Sequence, residues 1–549
     1  MIMENFIKKF ERSVKLHWSS IALSDYEKSD ITYGEMAVKI EKLHILWEEA
    51  GFVKGDRIAI CSRSSSNWSV LFWAAVTGGY VPVELFNGFM PHDIASLTIH
   101  SGSRMLYTEK SIFDAMSSQD VSCMPAVADI DSFGILSSDR NLEMLSGDLE
   151  HLYMDCHPDG MSPDDVSYDD PSMDDLCSLM YTSGSTGNPK GVMITVRNFS
   201  WNVETIPGLF PYREGENYVS VLPFAHIFGL MCDCIVPQCL GMHTIILGRP
   251  PIPSNVSGIM QEYRPRIFLA VPLILSKFVE YAVGAEIRSE EGKEKLDHWK
   301  DNPGYCAMLR SKVLSALGGK IEAFATGGAA IPPEIESLLV FRIAMPFITG
   351  YGMTECAPLI AAGKIGSYKS RSCGEYVESL QVRIASPDPL HIPGEIQVKG
   401  DCVFKGYYNN PDATSAAFTD DGWFRTGDIG TVDADRTLFI AGRCKNMLLS
   451  GNGQNIFPEE IEAVLNGLPY VAESIVVQRG SALHAIIVPD RNVEGVEDMD
   501  AASLQNIMEG NRKKLNENIP AYSAVSTFEI MYEPFVKTPK GSIKRFLYS

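Results

Sequence analysis

The sequence predicts an α/β fold that ends in a compact α+β unit of roughly a hundred residues. Short apolar runs rich in β-branched and aromatic residues alternate with stretches long enough for helices, a pattern typical of parallel strands joined by crossovers. A chain of 549 residues is also several times the usual domain size. The character of the sequence changes after about Gly442, so we predict one domain over residues 1–442 and a second over 443–549.

The predicted strands of the large region end in small residues. Each strand delivers a loop to the carboxyl edge of its sheet, where ligands usually bind. The runs are DRIAICS from Asp56, YVPVEL from Tyr80, SRMLYTE from Ser103, CSLMYTSGS from Cys177, PRIFLAVP from Pro265, KIEAFATGGAA from Lys320 and MPFITGYGMTE from Met345.

The C-terminal region carries helix and strand patterns of its own. FPEEIEAVL predicts a helix that begins at Pro458, with Ile461, Val464 and Leu465 on one face. AESIVVQRG and ALHAIIVPD are predicted to be paired strands, and SLQNIMEGNRKKLNENI a helix. These elements are sufficient for a separate small domain.

Composition excludes several classes of partner. A net charge of -22 disfavours an extended nucleic-acid footprint, because phosphate binding needs dense Lys and Arg. The twelve scattered cysteines include no CxxC pair and indicate reduced thiols, so we expect a cytoplasmic protein. The N-terminal residues alternate charged and apolar side chains, and no apolar run reaches membrane-spanning length. We therefore expect no signal peptide, no membrane anchor and no integral membrane association.

The acidic segment DCHPDGMSPDDVSYDDPSMDD, from Asp155 to Asp175, is predicted to be an exposed connection. A calcium loop is the alternative. The EF-hand spacing and its closing Glu are absent, which disfavours that alternative.

The stretch YTSGSTGNPKG, from Tyr181 to Gly191, follows an apolar run and has the composition of a phosphate cradle. Glycines let backbone amides approach an anion, Ser and Thr add hydroxyl donors, and Lys190 adds a positive charge. The order differs from a Walker loop, which needs GxxxxGK[ST]. On composition alone, a flexible surface loop remains an equal alternative.

Further motifs resemble the adenylate-forming superfamily, and they occur in that family's order over about residues 20 to 549. After the glycine-rich loop come LPFAHIFG at Leu222, ATGGAAIPPE at Ala325 and TGYGMTE at Thr349. GEIQVKG, KGYYNNPDAT, DGWFRTGDIG, GRCKNMLLSGNGQNIFPEEIE and KTPKGSIKR follow. The resemblance implies a large N-terminal domain of stacked α/β subdomains plus a small β subdomain, followed by a small mobile C-terminal α+β domain.

The resemblance also implies the chemistry. ATP converts a carboxylate into an acyl-AMP anhydride with release of pyrophosphate, and a thiol then displaces AMP. The first step needs cations and oriented donors around the triphosphate. ATP, Mg²⁺ and coenzyme A are therefore the expected cofactors and co-substrate.

The resemblance assigns roles to individual residues. Thr182, Ser183, Gly184, Ser185, Thr186, Gly187 and Lys190 are expected to hold the β- and γ-phosphates. Glu355 is the expected magnesium ligand, and Thr354 the contact to the α-phosphate or metal. Tyr351, with Thr349, Gly350 and Gly352 of the same motif, offers a face for adenine, and Gly328 and Ala329 lie at its edge. Asp428 is expected to accept the ribose hydroxyls, with Arg443 adding donors.

The second step is expected to use the C-terminal domain in a rotated position. Lys445 occupies the family's hinge position, where a residue has to absorb a change in φ and ψ. Ser450 and Gly451 are the candidates for the entry of the pantetheine arm.

The C-terminal motif departs from the family pattern TxxGKIxR, because Ser542 stands where that pattern has its lysine. Lys540 and Lys544 lie two positions to either side, on the same face of an extended segment. We predict that Lys540 takes the catalytic role, with Lys544 as the second candidate.

The acyl motif favours an acid with an uncharged tail. PFAHIFG provides Ala225 and His226, and the next carboxylate is Asp233. A substrate ammonium would stay unpaired there, at a cost of several kcal/mol. His226 is expected near the substrate carboxylate or at the pocket entrance. The motifs most resemble medium- and long-chain fatty acyl-CoA synthetases, which predicts a fatty acid:CoA ligase.

Two alternatives stay open. An acyl-AMP ligase that loads an acyl carrier protein, or an aryl-acid ligase, shares every nucleotide motif. A nucleotide-binding regulator without catalysis is the alternative from another class, and Ser542 is the feature that favours it.

Overall fold

The computed structural model describes residues 3–138, 140–182, 189–449, 455–480, 482–490, 499–538 and 543–548. The chain forms two compact units. The first comprises Met1–Ala329, Ile343–Ser367 and Gly400–Ala416, and the second Ala330–Arg342, Tyr368–Lys399 and Ala417–Ser549. The mixed α/β class is confirmed. The domain boundary after residue 442 falls within a strand of the second unit, Leu438–Arg443, and stays a prediction.

Four sheets provide the framework of the first unit. In three of them the strands are parallel apart from the last, antiparallel pair. Their neighbouring strands are Val81–Glu84, Arg57–Cys61, Ser103–Thr108, Val127–Asp129 and Ile135–Ser137; Asn217–Ser220, His243–Ile246, Ile21–Asp25 and Asp30–Thr32; and Ile267–Ala270, Ala323–Gly327, Phe347–Gly352 and Leu359–Ala362. The fourth sheet is antiparallel and contains Gly406–Tyr407, Lys190–Thr195 and Leu176–Thr182.

The predicted parallel pairing is confirmed for six of the seven quoted runs and is wrong for the run at Cys177. The strand Leu176–Thr182 pairs antiparallel with Lys190–Thr195. Only seven residues separate these two strands, whereas a parallel crossover needs about a dozen or more. The glycine-rich stretch therefore connects a hairpin and does not lead into a crossover helix.

The helices of the first unit begin at residues that satisfy free backbone amides. Thr32 and Glu35 form a capping box at the start of Tyr33–Glu49, and Ser65 accepts a hydrogen bond from the Trp68 amide. The helices are Phe6–Leu16, Tyr33–Glu49, Ser66–Thr77, Pro91–His100, Lys110–Asp114, Ser118–Cys123, Arg140–Gly147, Leu149–Cys156, Val196–Thr205, Ile227–Gly229, Val236–Cys239, Pro253–Tyr263, Pro272–Arg288, Glu290–Asp297 and Pro303–Ala316. A π-helical segment, Leu230–Ile235, joins the helices on either side of it, and Pro411–Ala417 follows the last strand of the unit.

The second unit combines an antiparallel sheet with the predicted C-terminal α+β elements. Its strands are Glu375–Tyr376; Gln381–Ala385, Gly394–Lys399, Phe424–Val432 and Leu438–Arg443; Leu448–Leu449 and Asn455–Ile456; and Val471–Arg479, Ala482–Pro489 and Val525–Ile530. Its helices are Pro333–Glu336, Pro458–Asn466 and Ala501–Asn518. The predicted helix at Pro458, the strand pair and the last helix are confirmed, and Ile461 and Leu465 lie in the core of this unit.

A buried apolar cluster anchors the strand that leads to the glycine-rich stretch. Leu179 and Tyr181 of Leu176–Thr182 pack against Val81, Val83 and Leu85. The start of the loop is thus fixed by the core of the first unit. Among the described helices, none combines the length and the hydropathy required to cross a bilayer.

Candidate active site

The structure places Thr182 and Lys190 opposite each other at the end of a hairpin. The Thr182 hydroxyl donates to the carbonyl oxygen of Lys190 over 3.5 Å. Both ends of the predicted phosphate loop are therefore in register. The predicted phosphate-binding residues between them, Ser183, Gly184, Ser185, Thr186 and Gly187, lie outside the described residues.

Lys190 and Glu355 are linked through a third side chain, Tyr407. The Lys190 ammonium lies 4.8 Å from the centroid of the Tyr407 ring, within the range of a cation–π interaction. The Tyr407 hydroxyl donates to Glu355 Oε1 over 2.9 Å. Burial, followed by the Glu355 carboxylate, raises the pKa of Tyr407 well above its usual value. The hydroxyl is therefore a donor at neutral pH.

Backbone hydrogen bonds hold Tyr407 in this position. The strand Gly406–Tyr407 pairs with Lys190–Thr195, with Tyr407 opposite Val192. The Tyr407 amide donates to Thr414 Oγ1 over 2.9 Å. Gly406 has a φ of +139°, and a Cβ there would lie 2.7 Å from Thr414 Cγ2, so this position requires glycine. The Phe404 amide also donates to the Glu355 carbonyl oxygen over 2.9 Å.

The two motifs predicted to hold adenine lie on neighbouring parallel strands. Gly327, which precedes Gly328 and Ala329, is in register with Gly350. Thr349 and Tyr351 are buried, with 7% and 8% of their surfaces exposed. The sheet therefore brings together motifs that are about twenty residues apart in the chain.

A tight turn connects the adenine motif to Glu355. A Cβ on Gly352 would lie 2.1 Å from the Pro358 carbonyl oxygen, so only glycine allows this approach. Thr354 and Glu355 follow in the short 3₁₀ turn Thr354–Cys356. Glu355 is half-buried.

His226 lies at the start of the helix Ile227–Gly229, and its ring is 4.9 Å from the ring of Phe86. A Cβ on Gly229 would lie 2.3 Å from the Pro223 carbonyl oxygen, so the turn of the motif is tightly closed. The motif also approaches the adenine motif, since a Cβ on Gly327 would lie 3.3 Å from the Phe228 ring.

Asp233, the first carboxylate after His226, is fully buried and holds the acyl motif from beneath. It accepts hydrogen bonds from the Tyr218 and Ser220 hydroxyls over 2.7 and 3.1 Å, and from the amides of Val221 and Leu222 over 3.2 and 3.1 Å. Burial raises the pKa of Asp233 to about 7, although these hydrogen bonds act in the opposite direction. Its role is to order the strand end that precedes the motif.

In the second unit, Asp428 and Arg443 form an ion pair. Arg443 Nε lies 2.7 Å from Asp428 Oδ1 across two antiparallel strands. The Asp428 amide donates to Thr426 Oγ1 over 3.1 Å, which orients this part of the strand. Lys445 is exposed in the turn that follows.

Several predicted residues cannot be placed. Ser450, Gly451, Lys540 and Ser542 lie outside the described residues. On the described side of the C-terminal motif, Lys537 bridges to Ile543 and the Lys544 amide donates to the Val536 carbonyl oxygen over 2.8 Å. Arg545 pairs with the buried carboxylate of Glu462.

Sequence reasoning assigned no role to Tyr407 or to Phe86. Tyr407 belongs to the quoted motif KGYYNNPDAT, but two adjacent tyrosines gave no indication of which one faces Glu355. Phe86 follows the predicted strand YVPVEL, and no signal in the sequence relates it to His226.

Two family models match the chain. The model described as "AMP-binding enzyme" matches residues 10–408, and the model described as "AMP-binding enzyme C-terminal domain" matches residues 445–548.

Two curated relatives represent two classes of CoA ligase. A feruloyl-CoA synthase of Amycolatopsis sp. is 30% identical over 476 residues, which cover 84% of each chain. The long-chain-fatty-acid–CoA ligase FadD15 of Mycobacterium bovis is 26% identical over 472 residues, which cover 82% of this chain and 75% of that protein.

Solved structures share the fold. An anthranilate CoA ligase in complex with anthranoyl-AMP superposes with a TM-score of 0.79 at 18% identity, over 100% of this chain and 97% of that one. The o-succinylbenzoate coenzyme A synthetase of Bacillus subtilis, in complex with ATP and magnesium ion, gives 0.75 at 22% identity, over 99% and 98%. The predicted fold, a large N-terminal and a small C-terminal domain, is confirmed.

Proposed function

Because the chain belongs to the AMP-binding enzyme family, and is thus an adenylate-forming acid–thiol ligase, we propose that it is a fatty acid:CoA ligase. In the first step the fatty acid carboxylate attacks the α-phosphate of ATP, which forms acyl-AMP and releases pyrophosphate. In the second step the CoA sulfur attacks the acyl carbon, the thiol proton is lost, and AMP leaves with the electrons of the broken C–O bond.

The observation that carries the proposal is the arrangement of Lys190, Tyr407 and Glu355 at the end of the hairpin. A cation and a carboxylate are held on either side of one aromatic side chain, next to the two ends of a loop rich in glycine and hydroxyl groups. Binding a triphosphate with its cation requires these two kinds of group. Lys190 and Thr182 would bind the phosphates and hold them in position for attack.

The residues at Glu355 fit Mg²⁺. A hard cation takes oxygen donors and commonly uses only one or two protein carboxylates beside substrate phosphates. Glu355 provides the carboxylate and Thr354 an adjacent hydroxyl. When bound, the cation neutralises charge on the triphosphate. Glu355 is the residue that would hold it.

The remaining roles are proposals from the same family pattern. Asp428 and Arg443 would bind the ribose, and Lys540 or Lys544 would contact the carboxylate and α-phosphate during the first step. Lys445 would be the hinge before the second step, with Ser450 and Gly451 beside the pantetheine arm. His226 would lie at the acyl carboxylate.

The acyl motif supports an acid with an uncharged tail. Four donors of the chain itself surround Asp233, so this carboxylate is committed to holding the strand end. An α-amino acid would therefore leave its ammonium without this partner, at a cost of several kcal/mol. The FadD15 relative supports a long-chain fatty acid.

An aryl-acid:CoA ligase is the second candidate. The feruloyl-CoA synthase is 30% identical to this chain, against 26% for FadD15. The His226–Phe86 ring pair would offer an aromatic surface to such a substrate.

A pyrophosphate-exchange assay over a panel of acids tests both candidates. We expect exchange with saturated C12 to C18 fatty acids, and CoA-dependent release of AMP with the same acids. Exchange restricted to ferulate or anthranilate would favour the aryl-acid ligase. An acyl-AMP product that ignores CoA and passes to a carrier protein would contradict the choice of acceptor, and no exchange with any acid would favour the regulator.

A further inference from the structure

The link between Lys190 and Glu355 gives Tyr407 a role in the reaction that the family motif does not specify. Tyr407 uses both ends of its side chain, since its ring lies under the Lys190 ammonium and its hydroxyl donates to Glu355 Oε1. A tyrosine that served only to fill space would not have a polar partner at each of these positions.

We propose that Tyr407 is a positioning residue that orients the metal-binding carboxylate of Glu355 through its hydroxyl and the phosphate-binding ammonium of Lys190 through its ring. The inference rests on the proposed function, because it takes Glu355 as the metal ligand. It adds to that function a physical connection between the metal side and the phosphate side of the site.

The geometry at Glu355 supports a hydrogen bond that orients the carboxylate without blocking it. The Tyr407 hydroxyl occupies Oε1, whereas Glu355 Oε2 has no hydrogen-bond partner among the residues that the structure describes. A ligating group whose other atoms are hydrogen-bonded is held in one rotamer and binds its cation more tightly. Glu355 is thus oriented before the nucleotide arrives.

The backbone around Tyr407 is rigid enough to transmit this orientation. Its amide is bonded to Thr414, and its strand is paired with the strand that begins at Lys190. The ring of Phe404 packs edge-on against the Tyr407 ring, with their centroids 4.9 Å apart. The Phe404 amide is bonded to the carbonyl oxygen of Glu355 itself. Tyr407 and Glu355 are therefore connected through the backbone as well as through the side chain.

Tyr408 provides a matched control, because it is the adjacent tyrosine on the same segment but has different neighbours. Its ring packs against His100 at 5.8 Å and lies under the Arg57 guanidinium at 5.6 Å. Removing its hydroxyl alters neither of the Tyr407 contacts.

The test compares binding of α,β-methylene-ATP, which cannot be cleaved between the α- and β-phosphates, with and without Mg²⁺. Titration calorimetry on the full chain gives the factor by which Mg²⁺ strengthens binding. In Tyr407→Phe we expect this factor to fall about tenfold, while the affinity in EDTA stays at the wild-type value because the ring under Lys190 is kept. In Tyr407→Leu we expect an additional loss of about threefold in EDTA. Tyr408→Phe should match the wild type in both buffers.

Each outcome decides one part of the proposal. A wild-type Mg²⁺ factor in Tyr407→Phe, or an equal loss in Tyr408→Phe, overturns the role of the hydroxyl. Equal affinities of Tyr407→Leu and Tyr407→Phe in EDTA overturn the role of the ring. Circular dichroism of each variant shows that it is folded. The titration contains no acid and no CoA, so its result is independent of whether the wild type makes a fatty acyl-CoA.

Discussion

Asp428 and Arg443 lie opposite each other on two antiparallel strands, with Arg443 Nε 2.7 Å from Asp428 Oδ1. The Asp428 side chain is 4% exposed, whereas that of Arg443 is 47% exposed. A buried carboxylate is thus held by a cation that also reaches solvent. This arrangement fixes the direction of the carboxylate, which suits an acceptor for two adjacent hydroxyls.

Replacing Asp428 with Asn is expected to weaken AMP binding about ten- to a hundredfold. The substitution removes the charge that strengthens hydrogen bonds to the ribose, and such charged hydrogen bonds are worth about 1.5–3 kcal/mol. Calorimetric titration with AMP measures the effect. Asp421→Asn is the control, because Asp421 also pairs with an arginine of the same unit, Arg383, at 2.6 Å. An Asp428→Asn protein that binds AMP as tightly as Asp421→Asn would remove the ribose assignment.

Lys190→Ala is expected to slow pyrophosphate exchange by about two to three orders of magnitude, because a positive charge is lost where negative charge develops. Radiolabel exchange at saturating ATP and fatty acid gives the rate. Lys405→Ala is the matched control, since Lys405 lies on the neighbouring segment and its ammonium is 3.3 Å from the Asp174 carbonyl oxygen. Equal rates in the two variants would show that Lys190 does not serve the phosphates.

The C-terminal lysines give a third prediction. Lys540→Ala is expected to slow acyl-AMP formation by about two to three orders of magnitude, and Lys544→Ala to have the smaller effect. Single-turnover release of pyrophosphate measures this step separately from thioester formation. Lys537→Ala serves as the control, because Lys537 pairs with Glu473. If both variants release pyrophosphate at the wild-type rate, neither lysine replaces the one that the family pattern has at Ser542.

The buried carboxyl of Glu84 predicts a pH dependence of stability. Its only printed side-chain partner is the Ser178 hydroxyl, which lies 3.0 and 2.9 Å from its two oxygens. Burial raises the pKa of Glu84 from 4.5 to about 8. The folded protein therefore holds this proton more tightly than the unfolded chain does. The resulting stabilisation is complete below pH 4.5 and is lost as the pH rises towards 8, by about 1.4 kcal/mol per pH unit.

Glu84→Gln removes this titration, so we expect its melting temperature to fall less than that of the wild type between pH 5.5 and pH 7.5. Differential scanning fluorimetry at the two pH values measures the difference. Glu150→Gln is the control, since Glu150 is 79% exposed where it pairs with Lys42. Parallel pH profiles for Glu84→Gln and the wild type would mean that Glu84 has an ordinary pKa.

The sequence alone determined the elements whose signals are local. Pro458 and the apolar spacing of Ile461 and Leu465 located a helix, and six apolar runs located parallel strands. These signals succeed because a helix or strand depends on residues within a few positions of each other. The ordered motifs also identified the family, since their spacing is a property of the chain itself.

Tertiary structure decided which side chains meet. The strand at Cys177 is antiparallel because a short connection returns it to Lys190–Thr195, and Asp233 is committed to the strand end before the acyl motif. Glu355 and Tyr407 are 52 residues apart, and only the pairing of Gly406–Tyr407 with a distant strand selects Tyr407 over Tyr408. Sequence periodicity assigns a residue to a face of an element, but the packing of separate elements determines its partner.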